Sequence, residues 1–175
     1  AENYYLNGNY EKSNRILNSY DINDGIYYWY KIKKKADIIL KEKNSRKSFK
    51  YLNSNFKKIK EPSIKIVYDM ANLSKNYKEY EIAIDHYNKV LKNIDSSSII
   101  YADVLYRRGS SYERLKEYEK SDKDLIESLK INPDDAYVLN YLAYSWLERN
   151  YKIKEAIKML EKAFDIKSDD PFILD

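Results

Sequence analysis

Few side chains in this 175-residue chain could take part in catalysis, and they lie far apart in the sequence. His86 is the single histidine, and a histidine that acts as a general base needs an orienting partner and a nucleophile within reach. No recognisable motif surrounds His86, so we expect a packed or solvent-facing residue in the middle of a helix. The absence of cysteine excludes disulfides, thiolate nucleophiles and thiolate metal ligands.

Neither the glycines nor the paired carboxylates form a ligand-binding motif. Gly8, Gly25 and Gly109 are the only glycines, and they lie too far apart to cradle a phosphate. The acidic pairs at 134–135 and 169–170 precede predicted helices, where a carboxylate stabilises the helix N-terminus without any metal. Their spacing does not match a calcium loop. We therefore predict no enzymatic activity, no metal and no cofactor.

The elements that position the other side chains are indicated by a pattern that recurs about every 34 residues. Residues 102–135 contain two series of apolar and small residues at steps of three and four, the spacing of one helix face. Pro133 ends the second series, and residues 136–170 repeat the plan. Gly109 and Ala143 occupy the same position in the two repeats, where a second helix must approach closely. This period predicts a solenoid of antiparallel helix pairs.

The same period extends to both sides of these two repeats. We predict a partial repeat, made of the second helix of a preceding unit and a linker, in residues 1–28. It is followed by a divergent repeat in 29–63, by clearer repeats in 64–101, 102–135 and 136–170, and by the start of a truncated repeat in 171–175. We accordingly expect a fragment of a longer protein, whose solenoid ends could also mediate self-association.

These repeats resemble the tetratricopeptide repeat family. The matching positions are Gly109, Tyr112, Tyr118, Leu125 and Pro133 in one repeat and Ala156, Leu160 and Ala163 in the next. The match is weaker before residue 64, where Ser13 and Ser48 occupy small-residue positions. The resemblance implies an all-α, right-handed superhelical solenoid that acts as a non-enzymatic scaffold for a protein or peptide. The segment 142–150 is similar to repeats of long bacterial proteins, many of them in the cell envelope, which favours that location over the cytoplasm.

In this family the first helix of each pair lines the concave surface, so the resemblance implies which residues face the groove. These are Tyr30, Lys33, Tyr68, Asn72, Tyr106, Arg107, Tyr137, Asn140, Tyr141 and Tyr144. Tyrosine offers a broad ring and a polar hydroxyl at low entropic cost, which suits a peptide or protein partner. The alternative is that an AT-rich genome has raised the tyrosine content everywhere. We expect the tyrosines at recurrent packing positions to be core residues together with Trp146, namely Tyr80, Tyr87, Tyr112 and Tyr118.

Some relatives bind the C-terminal carboxylate of a chaperone tail through lysine and asparagine residues on the first helices. Lys33 and Asn72 occupy two such positions, but they belong to different repeats. Asp37 stands where the first of these repeats would need asparagine, and Asp103 stands where the repeat at 102–135 would need lysine. Because these carboxylates would repel the tail, we do not expect a chaperone-tail clamp.

Positive charge is concentrated in one part of the chain. The net charge is +4, but residues 31–60 hold 12 lysines and arginines and only two carboxylates. An alternative function is therefore binding of a polyanion, either a nucleic acid or an acidic membrane surface. The residues for it would be Lys31, Lys34, Lys35, Arg46, Lys47, Lys50, Lys57 and Lys58.

Two observations weaken this alternative. Lysines commonly do no more than solvate the outward faces of helices. Phe49, Tyr51 and Phe56 have the spacing of core residues and not of a base-stacking platform, so nucleic acid is the less expected partner. No apolar run approaches the ~18 residues of a membrane-spanning helix, so a transmembrane segment is not predicted in this sequence.

Overall fold

In the computed structural model, residues 1–174 are described, and all of their regular secondary structure is α-helical. The helices are α1 (Glu2–Leu6), α2 (Tyr10–Ser19), α3 (Gly25–Glu42), α4 (Ser45–Phe56), α5 (Ile64–Asn76), α6 (Tyr80–Leu91), α7 (Ile99–Arg114), α8 (Tyr118–Ile131), α9 (Ala136–Glu148), α10 (Ile153–Ile166) and α11 (Pro171–Leu174). The predicted all-α class is confirmed. The chain divides into two compact units, Ala1–Lys78 and Glu79–Asp175.

Two long helices begin at N-capping residues that precede the predicted repeat bounds. The Asp24 carboxylate accepts a hydrogen bond from Gly25 N at 2.8 Å, and α3 therefore begins before residue 29. Ser98 Oγ accepts a hydrogen bond from Tyr101 N at 3.1 Å, and α7 begins before residue 102.

The two ends of the chain also carry short helices. The predicted partial repeat at 1–28 contains α1 in addition to α2, so a helix precedes the turn at Gly8 as well as following it. α11 begins within the predicted range 171–175, of which Asp175 lies outside the described residues.

The first unit is built from α1–α5. α1 pairs with α2, and α3 pairs with α4 across the short turn at 43–44. Trp29 on α3 is fully buried, and its ring meets Phe56 of α4 edge to face with 5.7 Å between ring centroids. Ile32 and Leu52 are also buried. A helix pair with an apolar core thus occupies the range predicted as a divergent repeat.

The second unit contains α6–α11, and its main helices pack in sequence order. α6 packs on α7, α7 on α8, α8 on α9, and α9 on α10. One core cluster joins residues of α8, α9 and α10, namely Leu125, Val138, Leu142, Ala143, Trp146 and Ala156. This sequential packing is typical of helical repeats, in which each element buries its apolar face on its neighbours.

The close approach of α7 and α8 depends on Gly109. A Cβ atom at this position would lie 3.1 Å from Cβ of Asp124 and 3.1 Å from Cγ of Leu125. Leu125 is fully buried, and a close-packed core leaves it little space to move aside. Ala143, at the equivalent position of the next repeat, is also fully buried. Gly109 therefore allows a helix contact that a larger residue would obstruct.

Four turns between consecutive helices share one backbone conformation. Gly8, Lys78, Lys116 and Asn150 have φ angles of 73°, 64°, 62° and 53°, all in the left-handed region. In the turn at Lys116 the N–H of Glu117 donates to the carbonyl of Tyr112 at 2.9 Å, the bond that closes a Schellman motif. Glycine adopts this conformation without strain, whereas Lys116 adopts it at a cost in free energy.

A buried ion pair joins three helices of the second unit. Arg108 on α7 donates from Nε and Nη2 to the two carboxylate oxygens of Asp124 on α8, each at 2.7 Å. Its Nη1 donates to Oδ1 of Asn88 on α6, also at 2.7 Å. The Asp124 side chain is 7% exposed. Bidentate pairing of this kind fixes the relative orientation of the helices that carry it.

Serines at small-residue positions bond to the paired helix. Ser48 Oγ donates to the carbonyl of Ala36 at 2.6 Å, and Ser128 Oγ donates to the carbonyl of Ala102 at 2.8 Å. Ser121 is also fully buried, but its hydroxyl has no hydrogen-bond partner among the described residues. The weaker family match at Ser48 therefore has a physical reason, since this serine holds a backbone carbonyl.

The predicted aromatic core is only partly correct. Tyr87 and Trp146 are buried, as predicted. Tyr80, Tyr112 and Tyr118 are only half-buried, so their prediction as core residues is wrong. The Arg149 guanidinium lies 4.6 Å from the centre of the Tyr118 ring, and Lys120 Nζ lies 5.3 Å from that of Tyr112. The sequence pattern predicts that a neighbouring helix covers these two rings, but long cationic side chains cover them instead.

Candidate functional site

Six of the predicted groove residues lie on α7 and α9 of the second unit. Tyr137, Tyr141 and Tyr144 follow one another at steps of four and three along α9, which places them on one side of the helix. Tyr137 is 40% exposed and Tyr144 is 39% exposed, whereas Tyr141 is mostly enclosed. One helix thus presents two accessible tyrosine rings flanking a third that is built into the structure.

Tyr141 is fixed in position by two residues of α7. Its ring meets that of Tyr106 edge to face, with 5.7 Å between centroids and an interplanar angle of 81°. Its hydroxyl donates to Oε2 of Glu113 at 2.9 Å. Burial, together with this hydrogen bond to a carboxylate, raises the pKa of Tyr141 well above its usual value. Tyr141 therefore remains a neutral hydrogen-bond donor with a restricted ring orientation.

A pocket of about 190 Å³ lies beside Tyr141, between the C-terminal parts of α7 and α9. Its lining consists of Glu113, Arg114, Tyr141, Tyr144, Ser145 and Glu148, and we call it the Tyr141 pocket. Arg114 Nε lies 3.6 Å from Oε2 of Glu113. Ser145 is 5% exposed, and its hydroxyl has no hydrogen-bond partner within residues 1–174. The pocket therefore combines aromatic rings, carboxylates and a buried hydroxyl.

Two predicted groove residues at the start of α9 contact the end of the chain. Tyr137 Oη donates to Oδ2 of Asp170 at 2.6 Å, and Lys167 Nζ donates to the same hydroxyl at 2.9 Å. Asn140 Nδ2 donates to the carbonyl of Phe172 at 3.0 Å. Segment 166–172 and Tyr137 also enclose a wider depression of about 530 Å³. Tyr137 and Asn140 are thus part of the chain's own contacts at this end.

Arg107, predicted to lie at the groove edge, is paired within its own helix. Its Nε lies 2.9 and 3.0 Å from the two carboxylate oxygens of Asp103, one helical turn earlier on α7. The pair offsets the negative charge of Asp103.

In the first unit, the predicted groove residues point to different neighbours. Lys33 Nζ forms an ion pair of 2.9 Å with Asp69 on α5, and this carboxylate also accepts a hydrogen bond from Trp29 Nε1 at 3.2 Å. Tyr30 instead donates to Glu2 on α1 at 2.8 Å, which raises the pKa of Tyr30. Tyr68 and Asn72 are half-buried on α5. Lys33 and Tyr30 are therefore one helical turn apart on α3 but bond to different helices.

The residues of the alternative polyanion site also divide into two groups. The lysines on α3 bond to residues of the N-terminal region. Lys34 Nζ lies 3.0 Å from Glu2 on α1, and Lys35 donates to Asn18 on α2. Lys31 Nζ donates to the carbonyl of Tyr20, the residue that follows α2. The group on and after α4 is exposed, namely Arg46, Lys47, Lys50, Lys57 and Lys58. Only this second group forms an accessible basic surface.

Sequence reasoning missed four residues of the Tyr141 pocket: Glu113, Arg114, Ser145 and Glu148. A signal for two of them was present, because Glu113 and Glu148 each precede an arginine near the end of the first helix of consecutive repeats, one position apart in the alignment that Gly109 and Ala143 define. Ser145 carried no such signal, since a serine within an apolar helix is usually a packing residue.

The described residues contain neither a candidate metal site nor a helix suited to span a membrane. No group of three or more histidine or acidic side chains in residues 1–174 is arranged to hold a metal ion. Across the same residues, no helix combines the length and the apolar character that crossing a membrane requires.

The sequence of this chain is similar to known tetratricopeptide repeat sequences. A family model for the tetratricopeptide repeat matches residues 102–135. The small glutamine-rich tetratricopeptide repeat-containing protein 2 of Saccharomyces cerevisiae is 29% identical over 92 residues, which are 53% of this chain and only 25% of the yeast protein.

Solved structures show the same fold. The structure of MamA 41-end from Desulfovibrio magneticus RS-1 superposes with a TM-score of 0.71 at 13% identity, covering 97% of this chain and 92% of that one. The first TPR of Spaghetti, bound to an HSP90 peptide, gives a TM-score of 0.56 at 19% identity over 63% of this chain and 84% of that one. Helical-repeat solenoids of this kind generally act as non-enzymatic scaffolds for protein–protein interaction.

Proposed function

Because residues 102–135 form a tetratricopeptide repeat and the chain has the fold built from such repeats, we propose that it binds a peptide through tyrosines of α7 and α9. The main support is the presence of Tyr141 and Tyr144 in the lining of the Tyr141 pocket, with the ring of Tyr106 packed against that of Tyr141. Tyr141, held in place by Tyr106, supplies a preformed wall, and Tyr144 supplies accessible ring surface. Rigid aromatic residues of this kind contribute a large share of the binding energy in protein interfaces.

The pocket favours a peptide or an extended segment as the partner. Its volume is suited to one or two side chains, and its lining mixes apolar rings with hydrogen-bonding groups. The solved repeat of Spaghetti that carries a peptide provides a precedent for the binding mode, although at 19% identity it supports only the fold. The identity of the partner and the contribution of Tyr30, Lys33, Tyr68 and Asn72 are separate proposals, since these residues lie in the first unit.

A library of displayed random peptides of about 12 residues, screened against the purified chain, tests this proposal. We expect enriched sequences, and we expect Tyr144→Ser to weaken their binding by about tenfold or more. Tyr27→Ser is the matched control, because Tyr27 is 74% exposed on α3 and lies in the other compact unit. If both variants bind equally well, or if Tyr27→Ser alone loses binding, the proposed site is wrong.

Binding of a polyanion is the second candidate, favoured by the charge of the α4 region. Residues 43–60 contain seven lysines and arginines and no carboxylate, and each of these seven side chains is exposed. Such a surface would bind by releasing counterions, so its affinity would fall steeply with salt.

Retention on heparin over a salt gradient tests this second candidate. We expect Arg46→Gln combined with Lys50→Gln to lower the eluting salt concentration, because both side chains belong to the exposed group. Lys31→Gln combined with Lys35→Gln is the control, since both residues bond within the unit. Elution of the unaltered chain below physiological salt would exclude polyanion binding.

A further inference from the structure

The lining of the Tyr141 pocket indicates the chemistry of the side chain that it binds. We propose that the pocket accepts a lysine or arginine side chain of the bound peptide, an inference that rests on the proposed function. Glu113 and Glu148 supply two carboxylates, and Arg114 is the only cationic residue of the lining. The lining therefore has a net negative charge before a partner binds.

Glu113 is prepared to bind a cation. Its side chain is 17% exposed, and Oε2 already accepts the hydroxyl of Tyr141 at 2.9 Å, which orients the carboxylate. A carboxylate has about four acceptor positions, so one hydrogen bond leaves capacity for an ammonium or guanidinium group. In a partly enclosed site such a charge-assisted hydrogen bond is stronger than a neutral one.

The two tyrosines of the lining complete the site. The rings of Tyr141 and Tyr144 attract a cation through their quadrupoles and cover the methylene groups of its side chain. An apolar side chain would desolvate Glu113 without compensation, and an acidic one would be repelled by Glu113 and Glu148.

Arg114 partly neutralises Glu113 at the edge of the pocket. Its guanidinium lies 3.6 Å from Glu113, and the phenolic oxygen of Tyr141 and the Glu113 carboxylate contribute to raising its pKa. The Arg114 side chain is nevertheless 59% exposed, so it is held only at the edge of the pocket and can swing into solvent. A peptide cation would therefore displace Arg114 and not bind beside it.

Peptides that differ in a single side chain test this inference. A peptide selected by the purified chain is compared with analogues in which each lysine is replaced by norleucine and each arginine by citrulline, with Kd measured by fluorescence anisotropy. We expect loss of one positive charge to weaken binding by about tenfold, and Glu113→Gln in the protein to have a similar effect. Glu148→Gln should weaken binding by about two- to fivefold, because this carboxylate is exposed.

Arg114→Gln tests most directly whether the peptide cation displaces Arg114, because this variant should strengthen binding of the cationic peptide by about two- to threefold. Glu119→Gln, an exposed change on α8, is the control and should leave Kd unchanged. Thermal unfolding shows whether the Glu113→Gln protein is folded. If it is not folded, the binding affinity of Glu148→Gln tests the role of the pocket carboxylates.

Three results would overturn the inference. Equal binding of charged and neutral analogues, or weaker binding by Arg114→Gln, would exclude a cation in this pocket. If Tyr144→Ser abolishes that charge-independent binding, the tyrosine site stands and only the cation preference is wrong. Selection of no peptide at all would count against the proposed function and, with it, against this inference.

Discussion

The three tyrosines on one side of α9 have different properties because their neighbours differ. Tyr137 is bonded to Asp170 and Lys167, Tyr141 to Glu113, and Tyr144 is accessible beside the Tyr141 pocket. The residue type alone therefore does not determine which tyrosine can meet a partner. That depends on the hydrogen bonds that the hydroxyl has already formed and on the ring surface that remains exposed.

His86 provides a residue-scale prediction about pH. This histidine is buried on α6, and burial, assisted by the neighbouring Lys89, lowers its pKa to about 4. In the unfolded chain its pKa is near 6.5, so below that pH the unfolded state binds the proton more readily. The free energy of unfolding should therefore fall by about 2 kcal/mol as the pH is lowered from 6.5 to 4.

Urea denaturation at a series of pH values measures this effect. His86→Gln should flatten the decline over the same range, since glutamine does not titrate. If the variant and the unaltered protein show the same pH dependence, other groups are responsible for it and the histidine prediction is wrong.

At the scale of the helices, the turn at Lys116 carries a residue that its backbone conformation does not favour. Replacing Lys116 by glycine removes the strain of the left-handed conformation, and we expect the free energy of unfolding to rise by about 0.5–1 kcal/mol. Lys123→Gly is the matched control, because Lys123 is exposed in the middle of α8. There glycine should lower stability by about 1 kcal/mol, so the two variants should shift the urea midpoint in opposite directions.

The ion pair between Arg108 and Asp124 leads to a second prediction at this scale. Arg108→Met leaves the Asp124 carboxylate buried without its cation, which should destabilise the second unit by about 3–5 kcal/mol. Adding Asp124→Asn removes that buried charge, and part of the lost stability should return. An additive effect of the two changes in chemical denaturation would contradict this interpretation.

The helix pairs could be predicted because their signal is local. Small and apolar residues at steps of three and four indicate where each helix lies, and Gly109 and Ala143 indicate the close contacts. The site was less predictable, because its contacts join distant parts of the chain. Lys33 meets Asp69, and Tyr137 meets Asp170, through geometry that a repeat period does not specify. The prediction that Tyr118 is a core residue is wrong for a similar reason, since Arg149 of the next repeat covers its ring.

At the scale of the whole chain, charge and burial are unevenly distributed. The sequence of Ala1–Lys78 has 17 lysines and arginines and eight acidic residues, whereas Glu79–Asp175 has 15 and 20. The two units therefore carry net charges of +9 and −5. This asymmetry agrees with assigning the polyanion alternative to the first unit and the cation-accepting pocket to the second.

Burial is uneven within the second unit, which predicts a gradient of local stability. α7 buries six residues along its length, whereas α10 buries only Ala156 and Ala163 and exposes Ile153, Ile157 and Phe164 by nearly half. In native-state hydrogen exchange we expect the amides of α7 to exchange much more slowly than those of α10. Equal protection of the two helices would show that the unit opens only as a whole.

The buried serines have a consequence for how the sequence can drift over generations. Replacing Ser48 or Ser128 by alanine would strip a backbone carbonyl of its hydroxyl partner, so selection should act against these changes. Ser121 holds no such bond within the described residues, and alanine there would remove a polar atom that gains nothing from burial. Among descendants of this chain, the serine at 121 should therefore be the first to be replaced by the small apolar residue of better-matching repeats, and the serines at 48 and 128 should persist.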